Sequence, residues 1–321
     1  MLCPVLLSVM IASAPLLAQG IVALDPEFHK LVPASAAIDK LGGGMRFTEG
    51  PVWVKDHLLF TDIPANAILR WAPGRGVSRF RQPVFPDAYD DGRFVGANGL
   101  TLDKEGRLVS CEHGNRRVAR TEKDGKITVL ADKYEGKRLN SPNDGVFHST
   151  GEFYFTDPPY GFAKLDDDPA KELKFNGLYR LKTDGQVELL YRDLTKPNGI
   201  AFSPDQKKLW VANSDQAKKI WMIFDIGADG RPTNGKVFYD VTKETAQGSP
   251  DGLKVDKQGH LWATGPGGIW VFSPAGKLLG KIQPPEIPAN CAFGDADGRT
   301  LYMTARTGLY RVRTNVEGIR P

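Results

Sequence analysis

Two carboxylates and four carboxamides recur along this chain in one local setting. Glu49 (E-G-P-V-W), Asn98 (N-G-L-T-L), Asn143 (N-D-G-V-F), Asn198 (N-G-I-A-F), Asp251 (D-G-L-K-V) and Asn290 (N-C-A-F-G) each open a short apolar run. A second run follows each opening and closes on small or polar residues: L-L-F-T-D at 58–62, L-V-S-C-E at 108–112, F-Y-F-T-D at 153–157, L-W-V-A-N at 209–213, L-W-A-T-G at 261–265 and L-Y-M-T-A at 301–305. If the six openings occupy equivalent places, their side chains converge, and what they offer is oxygen without sulfur. That set suits a hard divalent cation, calcium foremost, with magnesium or manganese as alternatives. Only some of the six can reach one ion. Water or substrate completes the shell, and an open position is what metal-assisted catalysis needs.

The elements that position these residues follow from the spacing. Consecutive openings lie between 39 and 55 residues apart, the interval of a repeat architecture. Apolar runs of strand length alternate with hairpin signals such as Asp124-Gly125, Asp184-Gly185, Asp229-Gly230, Asn234-Gly235 and Asp297-Gly298. Four short strands per repeat, six times, is an all-β six-bladed β-propeller with the metal site in its central channel. Residues 21–321 read as one such domain. The segment from Ile21 to Arg46 reads as a connector with one strand, and residues near 30–48 are expected to supply the outer strand of the last blade. Val241 to Gln247 allows a turn of helix, and Lys164 to Lys174 reads as an exposed excursion. Asn or Asp before Gly is an ordinary turn former. The site reading therefore rests on the sixfold register and on Glu49, which has no turn-forming role.

Composition narrows the function classes. A formal net charge of +4 with 25% charged residues is ordinary for a soluble domain, and no lysine- or arginine-rich block marks a nucleic-acid partner. There is no G-x-S-x-G, H-E-x-x-H, C-x-x-C or P-loop motif. A covalent serine or cysteine mechanism thus has little support. Residues 1–20 are apolar and uncharged, and read as a secretory signal cleaved after Ala18, which predicts a periplasmic or secreted protein without membrane insertion after its removal. Cys111 and Cys291 fall in non-adjacent repeats and are expected to be free and buried.

The motifs together carry a resemblance. E-G-P-V-W at 49–53, S-P-N-D at 141–144, F-T-D-P-P-Y-G at 155–161, P-N-G-I-A-F-S-P-D at 197–205 and S-P-D-G-L-K-V-D at 249–256 resemble the SMP-30/gluconolactonase family, in the form of its bacterial gluconolactonase branch. The resemblance runs from about residue 45 to about 305. It implies a six-bladed propeller with one divalent ion in the channel, most simply Ca2+ with Mg2+, Mn2+ or Zn2+ as alternatives, acting on small-molecule lactones; a monomer is expected. It places the ligands on Glu49, Asn143, Asn198 and Asp251, and makes Asp251 the catalytic base. One departure stands out. Animal members carry an arginine two residues before the Asn143 position, where this chain has Ser141. Asn98, His113, Arg116 and Tyr160 are the candidate substrate-binding residues in its place. An organophosphate or non-sugar lactone hydrolase on the same site is the nearest alternative. A propeller that only binds is a more distant one, since it has no use for two channel carboxylates.

Overall fold

The computed structural model describes residues 20–87 and 93–321. Apart from Gly20, the expected leader lies outside the described residues. Among the described residues, twenty-five strands form six blades around a channel, and Lys133–Tyr134 and Lys137–Arg138 pair in a separate small hairpin. In chain order the innermost strands are Thr48–Val54, Ala97–Leu102, Gly145–Phe147, Pro197–Phe202, Leu253–Val255 and Pro288–Gly294. The second strand of each blade is the second apolar run of the corresponding repeat. Each blade is an antiparallel meander, as the Asp-Gly and Asn-Gly turns require.

A twisted sheet buries its faces against its neighbours, and here that produces one apolar cluster at each of the six blade junctions. Val52, Leu59 and Ile68 meet Leu100 and Leu108 between blades one and two. Cys111 and Val118 meet Phe153, Phe155 and Tyr179 between blades two and three. Tyr154 and Leu178 meet Val211 and Phe224, and Trp210 and Trp221 meet Trp270 and Phe272, at the next two junctions. Trp262 and Ile269 meet Phe293 and Met303 between blades five and six. The ring closes where Trp53 stacks on Tyr302 with centroids 5.3 Å apart. Burying one such side chain contributes about 1.5–3 kcal/mol.

Closure follows the expected plan. Ile38–Gly42 pairs with Gly308–Arg313, setting Ile38 opposite Val312 and Lys40 opposite Tyr310. Thr48 Oγ1 adds hydrogen bonds to the carbonyls of Arg306 and Gly308. The connector holds more structure than its prolines and glycines foretold. Gly20–Ala23 adds a fifth strand to blade five, and the short helix Phe28–Leu31 seats Phe28 in the blade five–six core. No helix forms over 241–247, which is turn and irregular backbone. The 164–174 excursion holds a single 3-10 turn, Leu165–Asp167, and buries Lys171 and Leu173. Cys111 and Cys291 are buried free thiols. Among the described residues, no helix is long and apolar enough to cross a membrane.

Candidate active site

The opening motifs break the ladders they begin. Register shifts fall between Glu49 and Val52, Ala97 and Leu100, Pro197 and Ile200, and Pro288 and Asn290. In blades three and five the innermost strand starts only after Asn143 and Asp251. A bulge of this kind frees side chains from the regular alternation and is common beside active sites. The backbone groups so released bond across blades instead. Gly99 N donates to Asn143 O at 2.7 Å, and Gly252 N donates to Ala289 O at 2.8 Å.

The second strands lock this ring from behind. Thr61 Oγ1 donates to Asn98 O, Thr156 Oγ1 to Asn198 O and Thr264 Oγ1 to Ala289 O, each reaching the next blade. Two glycines allow the close approach. Gly50 has φ +50°, and a Cβ on it would lie 1.9 Å from Asn98 O; one on Gly252 would lie 2.0 Å from Asn290 Cγ. A Cβ on Gly99 or Gly199 would likewise lie 2.7 Å from Asn143 O or 2.2 Å from Asp251 O, so the N-G and D-G pairs serve inter-blade packing, and the turn reading alone does not account for them.

Five of the six openings, Glu49, Asn98, Asn143, Asn198 and Asp251, line a single cavity of about 800 Å³ at one mouth of the channel. Asn290 does not. Its Nδ2 donates to Glu49 Oε2 at 2.9 Å and to Asp144 Oδ2 at 3.3 Å, while its Oδ1 accepts from Cys291 N. Its amide therefore orients carboxylates. Glu49 Oε2 also accepts from Gly50 N at 2.8 Å. That leaves Oε1 for a ligand.

The electrostatics are those of a site short of positive charge. Burial, with the Asp144 charge nearby, pushes the Glu49 carboxyl up to about 7. Asp251 is raised well above the usual carboxylate range by burial and by the facing charges of Glu49 and Asp144, and it lies within hydrogen-bonding reach of Glu49. Asn98 Oδ1 and Asn198 Oδ1 are buried and have no hydrogen-bond partner. Their amide nitrogens are engaged with His113 Nε2 (3.4 Å) and Ser214 Oγ (3.2 Å). Unpartnered buried acceptors beside two mutually repelling carboxylates fit a cation. Among the described residues no group of three or more His, Cys, Asp and Glu side chains forms such a site, so amides have to complete it.

The substrate-side residues divide. His113 and Tyr160 line the cavity with Asn98. Burial depresses His113 to about 4, so it is neutral at pH 7. Tyr160 OH shares a 2.5 Å hydrogen bond with Ser214 Oγ, and burial raises its pKa. Arg116 does not reach the cavity, which corrects the expectation from sequence. It sits at φ +54° between the second and third strands of blade two. Its guanidinium is consumed by the carbonyls of Leu139 (2.7 Å), Ala170 (3.1 Å) and Arg138 (3.3 Å) and by Glu172. These partners come from segments far along the chain, which residue type alone does not disclose. Ser141 is also not a substrate contact. Its Oγ donates to Pro158 O and accepts from Gly161 N, pinning the T-D-P-P-Y-G loop where a longer side chain would displace it.

Three participants escaped the sequence reading. Asp144 stands in the channel between Asn290 and Lys254, whose Nζ is 4.0 Å from Asp144 Oδ2. Its signal was available: four openings are followed by glycine, and Asn143 by a carboxylate. Ser214 and Lys254 carried no such signal.

With this geometry established, comparison with known proteins decides the family. The profile described as SMP-30/gluconolactonase/LRE-like region matches residues 47–307. The chain belongs to the SMP-30/gluconolactonase family. It is 39% identical over 306 residues to a gluconolactonase of Zymomonas mobilis, an alignment covering 92% of this chain and 86% of the relative. It is 29% identical over 269 residues to the regucalcin of Sus scrofa, covering 81% and 84%. A solved gluconolactonase from Xanthomonas campestris superposes with a TM-score of 0.80 at 30% identity, covering 92% of this chain and 95% of that one. A calcium-binding regucalcin from Agrobacterium tumefaciens, at 20% identity and a TM-score of 0.71, shares the fold.

Proposed function

We propose that this member of the family is a gluconolactonase-type lactone hydrolase, exported to the periplasm or secreted. It works with one divalent ion, calcium foremost, held by Glu49, Asn143, Asn198 and Asp251. One observation carries this reading: the facing carboxylates of Glu49 and Asp251 line one cavity with Asn143 and Asn198, and the Asn198 Oδ1 is buried there without a partner. A bound divalent ion would supply Lewis-acid polarisation of the lactone carbonyl and counter-charge for these carboxylates. The remaining chemistry belongs to the chain. Asp251 takes a proton from the attacking water as the water oxygen bonds to the carbonyl carbon. The ring C–O bond then breaks, and the proton passes from Asp251 to the departing ring oxygen, giving a hydroxy acid. Glu49 is held in place by Gly50 N and Asn290. Asn98 and neutral His113 orient polar groups of the substrate, and Tyr160 forms a wall braced by Ser214.

The test is hydrolysis of D-glucono-1,5-lactone, followed by acid release, in metal-stripped protein. Activity should vanish on chelation and return to different degrees with calcium, manganese or zinc. Full activity in protein shown by elemental analysis to be metal-free would refute the metal-assisted reading.

A further inference from the structure

The cavity is not lined by the openings alone. Phe47, Ile63, Phe94, Phe162, Leu165 and Ile287 line it as an apolar collar, interrupted by Arg93, Gln216, Gln247, Ser249 and Arg306. The rings are held in place. Phe47 and Phe94 pack edge to face with centroids 5.1 Å apart, and the Arg306 guanidinium lies 5.4 Å from the Phe47 centroid. The Arg116 guanidinium, fixed by its three carbonyls, lies 5.0 Å from the centroid of Phe162. Leu165 is the least expected member. It has φ +49°, a conformation rarely adopted by a bulky residue, and is 41% exposed at the cavity rim. Beside it, Asp166 is tied to Asn176 and Lys196, so the turn is anchored. An anchored turn thus presents an apolar side chain to the cavity mouth.

A cavity of about 800 Å³ lies within the range that encloses drug-sized ligands. A sugar ring beside Glu49 and Asp251 does not need that volume, and hydroxyls placed against the six apolar side chains would lose water without gaining partners from them. We propose that the collar is a subsite for an apolar substituent, and that the protein also opens δ-lactones whose ring carries an alkyl chain. This rests on the lactonase reading above. The bonds made and broken are the same, with the ring beside Glu49 and Asp251 and the tail against Phe47, Phe162 and Leu165.

The experiment measures kcat/KM for δ-valerolactone, δ-hexalactone, δ-octalactone and δ-decalactone beside D-glucono-1,5-lactone, in calcium-loaded protein. Burial of each methylene predicts a rise of roughly three- to fourfold until the collar is filled. Phe162→Ala, and Leu165→Asn, which tolerates the left-handed backbone, should lower the δ-decalactone to δ-valerolactone ratio about tenfold. Gluconolactone turnover with a flat or falling alkyl series would overturn the subsite and leave the lactonase reading intact. If no lactone is turned over, the lactonase reading falls, and calorimetry with δ-decalactone decides the subsite. Binding that Phe162→Ala weakens supports it, and absence of binding overturns it.

Discussion

Asn290→Asp separates an orienting amide from a metal ligand. In the native channel Asn290 Nδ2 donates to Glu49 Oε2 at 2.9 Å and to Asp144 Oδ2 at 3.3 Å. An ionised aspartate can donate to neither. Hydrogen bonds to charged groups contribute about 1.5–3 kcal/mol, and the shorter bond dominates. A further carboxylate would then face two others in a buried channel, and leaving buried charge uncompensated costs about 3–5 kcal/mol. Together these come to about 4.5–8 kcal/mol, and at roughly 2 °C per kcal/mol, the lower end of the range for large domains, metal-free protein should melt about 9–16 °C below wild type. Asn290→Ala removes the donor without adding charge and should lose only about 3–6 °C. Calcium should raise the Tm of Asn290→Asp by more than it raises that of wild type, because the bound ion meets an additional negative charge. It should raise that of Asn290→Ala by no more than wild type. The assay is thermal unfolding with chelator and with saturating calcium. If metal-free Asn290→Asp melts within about 2 °C of wild type, Asn290 is not the donor that holds Glu49.

Three further outcomes are expected. At saturating metal, Asp251→Asn should hydrolyse lactone about 10²–10⁴-fold more slowly, the usual loss of a general base, whereas Asn143→Ala should weaken metal affinity more than turnover; calorimetric titration paired with rates checks both. In metal-free protein, Glu49 and Asp157 titrate near 7 and Asp251 is raised, all above the unfolded carboxylate range near 4. The folded state therefore holds extra protons between about pH 4 and 7, and these three groups make stability fall as pH rises through that window. His113, depressed to about 4, opposes them as pH falls below its unfolded value of 6.5. Urea unfolding at pH 5 and pH 7.5 should show the net slope, with calcium flattening the Glu49 and Asp251 parts and Asp157→Asn removing its own. Finally, N-terminal sequencing of protein from the native host should find the mature chain beginning near Gln19, and an intact Met1 would refute export.

What the sequence by itself determined was the periodic part of the protein. Six openings, six second runs and recurrent Asp-Gly and Asn-Gly turns specify local hairpins, and hairpins of similar length that each need a neighbour to bury their faces have few ways to pack. Blade number, strand polarity and closure by a strand from residues near 30–48 follow from that, and the structure sets that strand at Ile38–Gly42. So does the convergence of Glu49, Asn98, Asn143, Asn198 and Asp251, because equivalent positions in a closed ring share one mouth. The tertiary structure decided whatever depended on partners distant in the chain. Asn290 has the same kind of opening as Asn98, yet it turns to Glu49 and Asp144 because both carboxylates stand within reach of its amide. Arg116 was a free cation on paper until the carbonyls of Leu139, Arg138 and Ala170 claimed it. Ser141 marked only the loss of an arginine until the 157–161 loop was seen resting on its hydroxyl. Repetition fixes backbone positions from local pattern. Which way a polar side chain turns depends on the nearest unpaired donor or acceptor, which here lies on the same blade for Asn98 and Asn198 and on other blades for Asn290.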